Sequence, residues 1–369
     1  RLPTAQQIKG GLRLKWRCHG GLRFNRLPLQ SLNLHISAPD EIAWRLHELV
    51  GSAVLGSWVL PAGASAAAPA PGQWRDAASV QLTGFDDRQA LLPESMRGFS
   101  GHRLIQELAA LPQRFLFFDI LDLAPRLARV NGNEVELVLL FSRGDAALES
   151  LVDASSLALF CTPAINLFQK RLDRIQAGAN TWEYHVVADR TRPMDFEVHS
   201  LESVTGYGTG QAAEQSFLPL YTTWHTESPE HAAYYTLRRE QRLLSQRQLQ
   251  QGPRSGYIGT EVFISLVDPR NAPYRQEVRQ LSLSAWVSNR DLPTLLPGAG
   301  STELNTGAVN GGNTGWLLDA PGPVKSVHAL RGPTRPVQRA AQGDHGWALI
   351  SHLSQNYLSI AGEEPRRAA

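Results

Sequence analysis

Two stretches near the start of the chain alternate apolar and polar residues with a period of two. Residues 12–18 place Leu, Leu, Trp and Cys on one face and Arg, Lys and Arg on the other, and residues 32–36 repeat the alternation. Successive side chains of a strand point to opposite faces. The pattern therefore predicts two half-buried strands, with Gly20-Gly21 in the turn between them.

Two other segments, 39–49 and 100–112, show the helical period. In the first, Ile42, Leu46 and Leu49 share one face after a Pro-Asp-Glu start whose carboxylates complement the helix dipole. In the second, apolar residues recur three and four positions apart until a proline ends the pattern. Both segments are predicted helices.

The apolar run Phe115–Leu121 predicts a strand that is covered on both faces. Asn131-Gly132 is a hairpin signal, and Glu134–Phe141 is the predicted returning strand. The two glutamates that begin this strand share a face, because the valine and leucine that alternate with them face inward. We therefore expect a solvent-facing pair of carboxylates and not an acid/base pair.

Short apolar runs continue to the end of the chain. The further predicted strands are Tyr184–Val187, Asp195–Val198, Tyr234–Arg238, Tyr257–Val267, Leu281–Val287 and Val324–Leu330. A helix with Trp347 and Tyr357 on one side follows them. Together the elements predict an α+β, mainly β fold made of several small β-rich domains with short helices and long Gly/Pro loops.

At 369 residues the chain exceeds the usual domain length of about 100–200 residues. We predict a β-rich domain with two helices over 1–150, a second β-rich domain over 151–296, and a loop, strand and closing helix over 297–369. Residues 60–73 are rich in Ala and Pro, and residues 297–323 hold seven Gly and three Pro. Loops as long as the second are usually functional or ordered by a partner.

The formal charge of +2 comes from 36 basic and 34 acidic residues, and nearly all of the basic residues are arginine. Arginine is the commoner cation at protein interfaces, but a biased genome produces the same composition, so both explanations stay open. A nearly neutral chain is not typical of a dedicated nucleic-acid-binding protein.

The two cysteines, Cys18 and Cys161, each lie in an apolar segment. This favours free thiols in a reducing compartment over a disulfide framework. No apolar run approaches the roughly 20 residues of a membrane helix, so we expect no membrane insertion. The start has neither a Met nor a signal pattern, and we expect a fragment of a longer protein.

Motifs for catalysis are absent from the sequence or incomplete. It contains no Gly-x-Ser-x-Gly elbow and no phosphate loop. His47 is followed by Glu, as in the zinc-helix motif, but Gly51 stands where the second His ligand is needed. The glycines Gly206, Gly208 and Gly210 have the wrong spacing for a dinucleotide turn, which favours a flexible turn.

Two polar loops could carry ligands. His225 and His231, with two glutamates between them, could bind a metal, but solvated side chains are the favoured interpretation. Arg190 and Arg192, flanked by aspartates, favour a local ion-pair network over a ligand clamp. We therefore predict no catalytic, cofactor-binding or metal-binding residue, and an assembly component in preference to an enzyme.

Segments spread over most of the chain carry a family pattern. They are Gly84–Pro93, Pro112–Asp119, Val152–Ser155, Phe160–Phe168, Asp189–Val198, Val204–Tyr207, Gly252–Ser255, Gly259–Phe263, Ser288–Pro293 and Leu349–Leu358. In this order they resemble the TssF family, also called VasA or ImpG, of the bacterial type VI secretion system. Family members extend further at the amino end, and we expect the same at the extreme carboxyl end, so the resemblance implies a partial subunit.

The resemblance implies a structural wedge component of the baseplate of this contractile injection machine, similar to wedge subunits of contractile phage tails. It implies two TssF copies with one TssG, joined by TssK, around a VgrG hub where the sheath and tube begin. It also implies a cytoplasmic location, with the baseplate at the inner membrane. The family has no known catalytic residue, so none is carried over and no cofactor is expected.

Arginines and tyrosines are enriched at the centres of protein interfaces. On that basis we predict a partner interface at the Arg-rich turns, with Arg190, Arg192, Arg254, Tyr257 and Arg270 as its residues.

An alternative function is a carbohydrate-binding or glycan-processing β-sandwich protein, favoured by short strands, aromatic residues and long loops. That function needs a concave site, and glycan hydrolysis needs paired carboxylates about 5–10 Å apart.

Overall fold

The computed structural model describes residues 3–4, 6–61, 73–93, 100–178, 181–208, 214–220, 233–246, 250, 252, 254–267, 278–295, 324, 327, 329–337, 347–348 and 351. The described residues form three sheets with a few short helices, which confirms the predicted mainly β, α+β class. The chain divides into two compact units, with the division between Ile165 and Asn166. The predicted division into 1–150, 151–296 and 297–369 stays a prediction.

The element bounds are as follows. The strands of unit 1 are β1 Gly10–Arg17, β2 Leu32–Ile36, β3 Val54–Pro61, β4 Trp74–Asp76, β5 Val80–Leu82, β6 Phe117–Ile120, β7 Glu134–Phe141 and β8 Leu157–Leu159. The strands of unit 2 are β9 Phe168–Arg171, β10 Ile175–Gln176, β11 Tyr184–Val186, β12 Glu197–Gly208, β13 Glu214–Pro219, β14 Tyr234–Gln241, β15 Thr260–Val267 and β16 Val278–Ser288. The described α-helices are α1 Asp40–Ser52, α2 Ser100–Ala110, α3 Leu123–Leu127 and α4 Ala146–Glu149.

In unit 1, one sheet has the strand order β1-β7-β3-β4 and the other the order β5-β6-β2-β8. The predicted alternation is confirmed in β1 and β7, which pair antiparallel with their apolar faces toward the core. On the solvent side, Lys15 pairs with Glu134 at 2.9 Å, and Arg13 pairs with Glu136 across the same two strands. The glutamates of β7 thus form exposed cross-strand pairs, as the sequence predicts.

A single apolar core joins both sheets of unit 1 to helix α1. The predicted helix is confirmed, and it buries Ala43, Leu46, Leu49 and Val50 in that core. Residues of β2, β6 and β7 belong to the same core, so both sheets share a common interior with the helix. Burying this apolar surface is the main force that stabilises the unit.

A buried ion pair fastens the segment before α2 to the rest of unit 1. Glu107 of α2 pairs with Arg114, and their side chains are only 2% and 1% exposed. The Glu107 carboxylate accepts hydrogen bonds from the backbone amides of Leu91 and Leu92 at 2.9 and 2.8 Å. Arg114 donates a hydrogen bond to the carbonyl of Gly84 at 2.8 Å. Buried charges are tolerated when they are paired and hydrogen-bonded in this way.

Unit 2 contains an eight-stranded sheet with the order β10-β16-β12-β13-β14-β15-β11, and β9 also pairs with β16. Its longest ladder joins β12 to β16 antiparallel, from Glu197 opposite Ser288 to Gly208 opposite Val278, with register shifts along the way. The pair of β13 with β14 is parallel. One face of the sheet carries the buried apolar residues of the unit 2 core.

The predicted hairpin at Asn131-Gly132 is wrong. Strand β6 pairs with β2 and β5, whereas β7 pairs with β1 and β3, so the two strands belong to different sheets. A two-residue hairpin of the predicted type requires positive φ angles, and neither residue has one. Instead, the carbonyl of Gly132 accepts the amide of Phe24 at 3.0 Å. The chain does turn at Asn131-Gly132, but helix α3 lies between this turn and β6, so the turn does not connect β6 to β7 as a hairpin.

The flexible turn predicted at Gly206 and Gly208 is also wrong, because both residues lie inside β12. A Cβ atom on Gly206 would stand 2.8 Å from the Phe217 ring and 3.1 Å from Val278. The glycine therefore allows a close approach of side chains from the neighbouring strands. The short strand predicted at Asp195–Val198 is the beginning of the same long strand.

Several predictions fall outside the described residues. These are Gly210, most of the 60–73 loop, the 297–323 loop, most of the closing helix, His225, His231 and Arg270. Of the predicted Val324–Leu330 strand, the four residues that the structure describes, at 324, 327, 329 and 330, are not in a strand.

The buried pair in unit 1 gives a stability prediction. Replacing Arg114 with Met leaves the Glu107 carboxylate buried without its counter-ion, which costs about 3–5 kcal/mol. We expect a correspondingly lower urea midpoint, measured by circular dichroism. The control is Arg143→Met, which removes an exposed pair with Glu48 (55% and 63% exposed) and should cost about 0–1 kcal/mol. Equal losses in the two variants would contradict a structural role for the buried pair.

Candidate functional site

Two of the predicted interface residues, Arg254 and Tyr257, lie in one polar cluster of unit 2. We call it the Arg254–Asp291 cluster; it consists of Met194, Asp195, Glu197, Arg254, Ser255, Tyr257, Thr260, Arg290 and Asp291. It lies where β12 begins and β16 ends, since Glu197 and Ser288 are opposite each other in the ladder. Three chain segments that are distant in sequence meet there.

The centre of the cluster is a two-point ion pair between Arg254 and Asp291. Nη2 of Arg254 donates to Oδ1 of Asp291 at 2.6 Å, and Nε donates to Oδ2 at 3.2 Å. Nη1 of the same guanidinium donates to Asp195 at 2.8 Å, and the Ser255 hydroxyl donates to Asp291 at 2.6 Å. Such two-point pairing fixes orientation as well as distance.

The ionised form of Asp291 is strongly favoured. Its side chain is only 3% exposed, and burial by itself would raise its pKa. The hydrogen bonds from Arg254 and Ser255 outweigh burial and lower the pKa to about 2. The cluster therefore stays charged and paired at neutral pH.

Tyr257 is held by Glu197, the first residue of β12. The Tyr257 hydroxyl donates to Oε2 of Glu197 at 2.6 Å. Oε1 of the same carboxylate accepts hydrogen bonds from the Thr260 amide at 2.9 Å and from the Thr260 hydroxyl at 2.5 Å. Burial and the hydrogen bond to the carboxylate raise the pKa of Tyr257. The tyrosine thus fastens the segment before β15 to the start of β12.

Arg290 reaches the same place from the turn after β16. Its backbone has a φ of 55°, in the left-handed region that non-glycine residues rarely adopt. The guanidinium donates to the carbonyls of Ile258 at 2.6 Å and Met194 at 3.0 Å, and burial lowers its pKa. Gly259 allows this approach, because its φ is 82° and a Cβ there would lie 3.0 Å from the guanidinium.

A cavity of about 10 Å³ lies within the cluster, which is room for about one water molecule. Ligand pockets for small molecules are typically about 300–1,000 Å³. The geometry at this place holds turns together and leaves no space for a small-molecule ligand.

The other two predicted arginines, Arg190 and Arg192, lie on an exposed turn of unit 2. The backbone amide of Arg190 donates to Asp173 at 2.8 Å, and its guanidinium approaches the same carboxylate at 3.9 Å. The guanidinium of Arg192 stands 5.6 Å from the centre of the Phe196 ring. The ion pair of Arg190 is thus with Asp173, whereas the flanking Asp189 and Asp195 pair with Lys170 and Arg254.

Asp189 shapes this exposed turn. Hydrogen bonds from the Thr191 hydroxyl and from the amides that follow lower its pKa to about 2. Lys170 of β9 also pairs with Asp189, at 3.4 Å.

The interface assignment stays a prediction for all five residues, because no contact with a partner tests it. The structure brings Arg254 and Tyr257 together and places Arg190 and Arg192 on a separate turn. Sequence reasoning missed Glu197, Arg290 and Asp291, although the Asn-Arg-Asp run after a predicted strand was a detectable turn signal.

Within the described residues, no three His, Cys, Asp or Glu side chains come together as a group that could hold a metal ion. Both cysteines are free and partly buried, as predicted. In the same part of the chain, no helix is long and apolar enough to cross a membrane.

Fold and site together define the class as a mainly β protein in which dense polar clusters fasten turns to one another. The chain belongs to the TssF family, since the family model described as "Type VI secretion system, TssF" matches residues 1–369. It is 43% identical over 366 residues to the type VI secretion system component TssF1 of Pseudomonas aeruginosa. That alignment covers 96% of this chain and 55% of the relative.

A solved structure has a similar fold. It is a chain from the type VI secretion system TssK-TssF-TssG baseplate subcomplex determined by cryo-electron microscopy, with a TM-score of 0.61 and 18% sequence identity. The match covers 95% of this chain and 59% of that chain. This chain therefore spans little more than half the length of these relatives. Neither comparison supports the carbohydrate-binding alternative.

The pKa of Asp291 yields a pH prediction. Because the folded-state pKa of about 2 lies below the ordinary value of 3.8, the carboxylate stabilises unit 2 above about pH 4. This contribution, about 2 kcal/mol, is lost as the pH falls toward 2. We expect Asp291→Asn to lower stability at pH 7 and to flatten the loss between about pH 4 and 2 in urea titrations followed by tryptophan fluorescence.

The control for this experiment is Glu149→Gln. Glu149 is exposed and has no ion pair among the described residues, so its replacement should leave the pH profile unchanged. If the free energy of unfolding of Asp291→Asn fell between about pH 4 and 2 as steeply as that of the wild type, the cluster would not stabilise the ionised carboxylate as described.

Proposed function

We propose that the chain is part of a structural wedge component of the type VI secretion baseplate. The observation that carries the proposal is the match of the TssF family model to residues 1–369. The fold shared with a chain of a TssK-TssF-TssG baseplate subcomplex supports it, although at 18% identity that likeness concerns the fold alone.

The proposed partners follow from the family. TssG and TssK are the direct partners, a second TssF copy completes the wedge, and the VgrG hub with the base of the sheath and tube is reached indirectly. The location is cytoplasmic, with the baseplate at the inner membrane. Large permanent interfaces of this kind bury about 2,000–5,000 Å² and are more apolar than transient ones.

The proposed role is structural and not enzymatic. The Arg254–Asp291 cluster supports this part, because its charged side chains are used in pairing with one another. A catalytic acid or base needs a reacting group within hydrogen-bond reach, and the small cavity at the cluster holds no room for one. Exposed apolar side chains such as Phe160, Trp182 and Leu243 are available for contacts between subunits.

The test is co-expression with tagged TssG and TssK, followed by affinity purification and light scattering to measure the size of the complex. We expect the chain to co-purify with TssG in a complex larger than the sum of one copy of each. A folded, soluble monomer that does not bind TssG would contradict the proposal.

The predicted interface gives a second measurement in the same assay. Arg190→Glu with Arg192→Glu reverses two exposed charges at one turn, so a loss of co-purification with unchanged thermal stability would place a partner there. Arg254→Glu cannot distinguish a contact with a partner from stabilisation of the fold, because it also breaks the ion pair with Asp291. Full co-purification of the double variant would remove Arg190 and Arg192 from the proposed interface.

A further inference from the structure

The edge of the unit 2 sheet formed by β9 has a free side among the described strands. Both β9 and β10 pair with β16, on the side opposite β12. The amide of Leu172 donates to the carbonyl of Leu283 at 3.0 Å, so alternate residues back to Phe168 direct their backbone groups toward β16. The backbone groups of Gln169 and Arg171 therefore point away from the sheet. They are a template for one more strand.

This edge concentrates positive charge. Residues 168–174 and 189–192 together hold five basic and two acidic side chains, an excess of three, whereas the whole chain has a formal charge of only +2. The two acidic side chains are already engaged, because Asp189 pairs with Lys170 at 3.4 Å and Asp173 with Arg190 at 3.9 Å.

Three exposed arginines at this edge have no carboxylate partner among the described residues. Arg171 makes no side-chain contact there, Arg174 donates to the amide oxygen of Gln280 at 3.3 Å, and Arg192 stacks on the Phe196 ring. Their charge is therefore not balanced by a neighbouring carboxylate in the part of the chain that the structure describes.

The opposite end of the same sheet shows the usual pattern. On β14, Arg238 pairs with Glu183 and Glu240. Arg242 follows that strand and pairs with Glu261 at 3.3 Å. These arginines are paired, whereas Arg171, Arg174 and Arg192 at the β9 edge have no carboxylate partner among the described residues.

We propose that the outer edge of β9 binds an acidic, extended segment of another protein as an added strand. The free backbone groups of β9 supply the main-chain hydrogen bonds, and Arg171, Arg174 and Arg192 supply the charge complementarity. Basic residues on an edge strand also repel other basic strands, which gives selectivity for an acidic one. A nucleic acid has no strand backbone that could pair with this edge.

The test uses the whole chain and a fluorescein-labelled peptide of about ten residues in which Glu and Val alternate. Fluorescence anisotropy at low ionic strength should show binding of this peptide but not of the same peptide with Lys in place of Glu. Arg171→Glu should weaken binding about tenfold. The matched control is Arg26→Glu, an exposed arginine of unit 1 with no carboxylate partner among the described residues, and it should bind normally.

A second pair of variants separates strand addition from simple charge attraction. Gln169→Pro removes an outward-pointing amide and places a ring at the free edge, whereas Gln169→Ala removes only the side chain and its hydrogen bond to Glu202. We expect the proline variant to lose binding and the alanine variant to keep it. Circular dichroism checks that both remain folded. A peptide that is N-methylated at alternate residues lacks the amide hydrogens that an added strand donates. It therefore tests strand pairing without any change to the protein.

Three results would overturn the proposal. One is no binding of the acidic peptide at low ionic strength. Another is equal binding of the N-methylated and unmodified peptides, which would mean attraction without strand pairing. The third is competition by a single-stranded oligonucleotide at equal concentration with the same dependence on Arg171, which would indicate a general anion-binding edge.

Discussion

The ladder between β12 and β16 is the interaction on which the rest of unit 2 depends. Their antiparallel register aligns the alternating apolar residues of both strands on one face, and this face forms the core. The same register brings Glu197 opposite Ser288, and so brings the start of one strand to the turn that follows the other. The charged cluster and the basic edge are consequences of this pairing, since β16 also positions β9.

The two charged regions of unit 2 illustrate opposite uses of arginine. Arg254 and Arg290 donate hydrogen bonds to carboxylates or carbonyls from distant segments. Their guanidinium groups therefore join turns of the same unit. At the β9 edge, Arg171 is exposed and makes no side-chain contact with the residues that the structure describes. For a proposed assembly component, the first use stabilises a subunit, and the second offers a surface that a partner of opposite charge can recognise.

Much of the local structure was predictable from the chain alone. The strands β1 and β7 and helix α1 follow directly from apolar periodicity, because each turns one face to the core. Strand β2 departs from it, because His35 is buried together with Leu34 and Ile36. The errors have definite causes. A turn signal at Asn131 indicates a change of direction but not which strand comes next, and a glycine such as Gly206 can serve close packing inside a strand as well as a turn.

The sequence by itself determined the fold class, the solvent-facing position of the β7 glutamates and the family, since each depends on patterns within short segments. Only the tertiary structure decided that Arg254 meets Asp291 and that Tyr257 meets Glu197. It also decided that β9 lies at an edge of the sheet. These facts depend on contacts between residues far apart in the chain, and periodicity carries no information about which distant segments become neighbours.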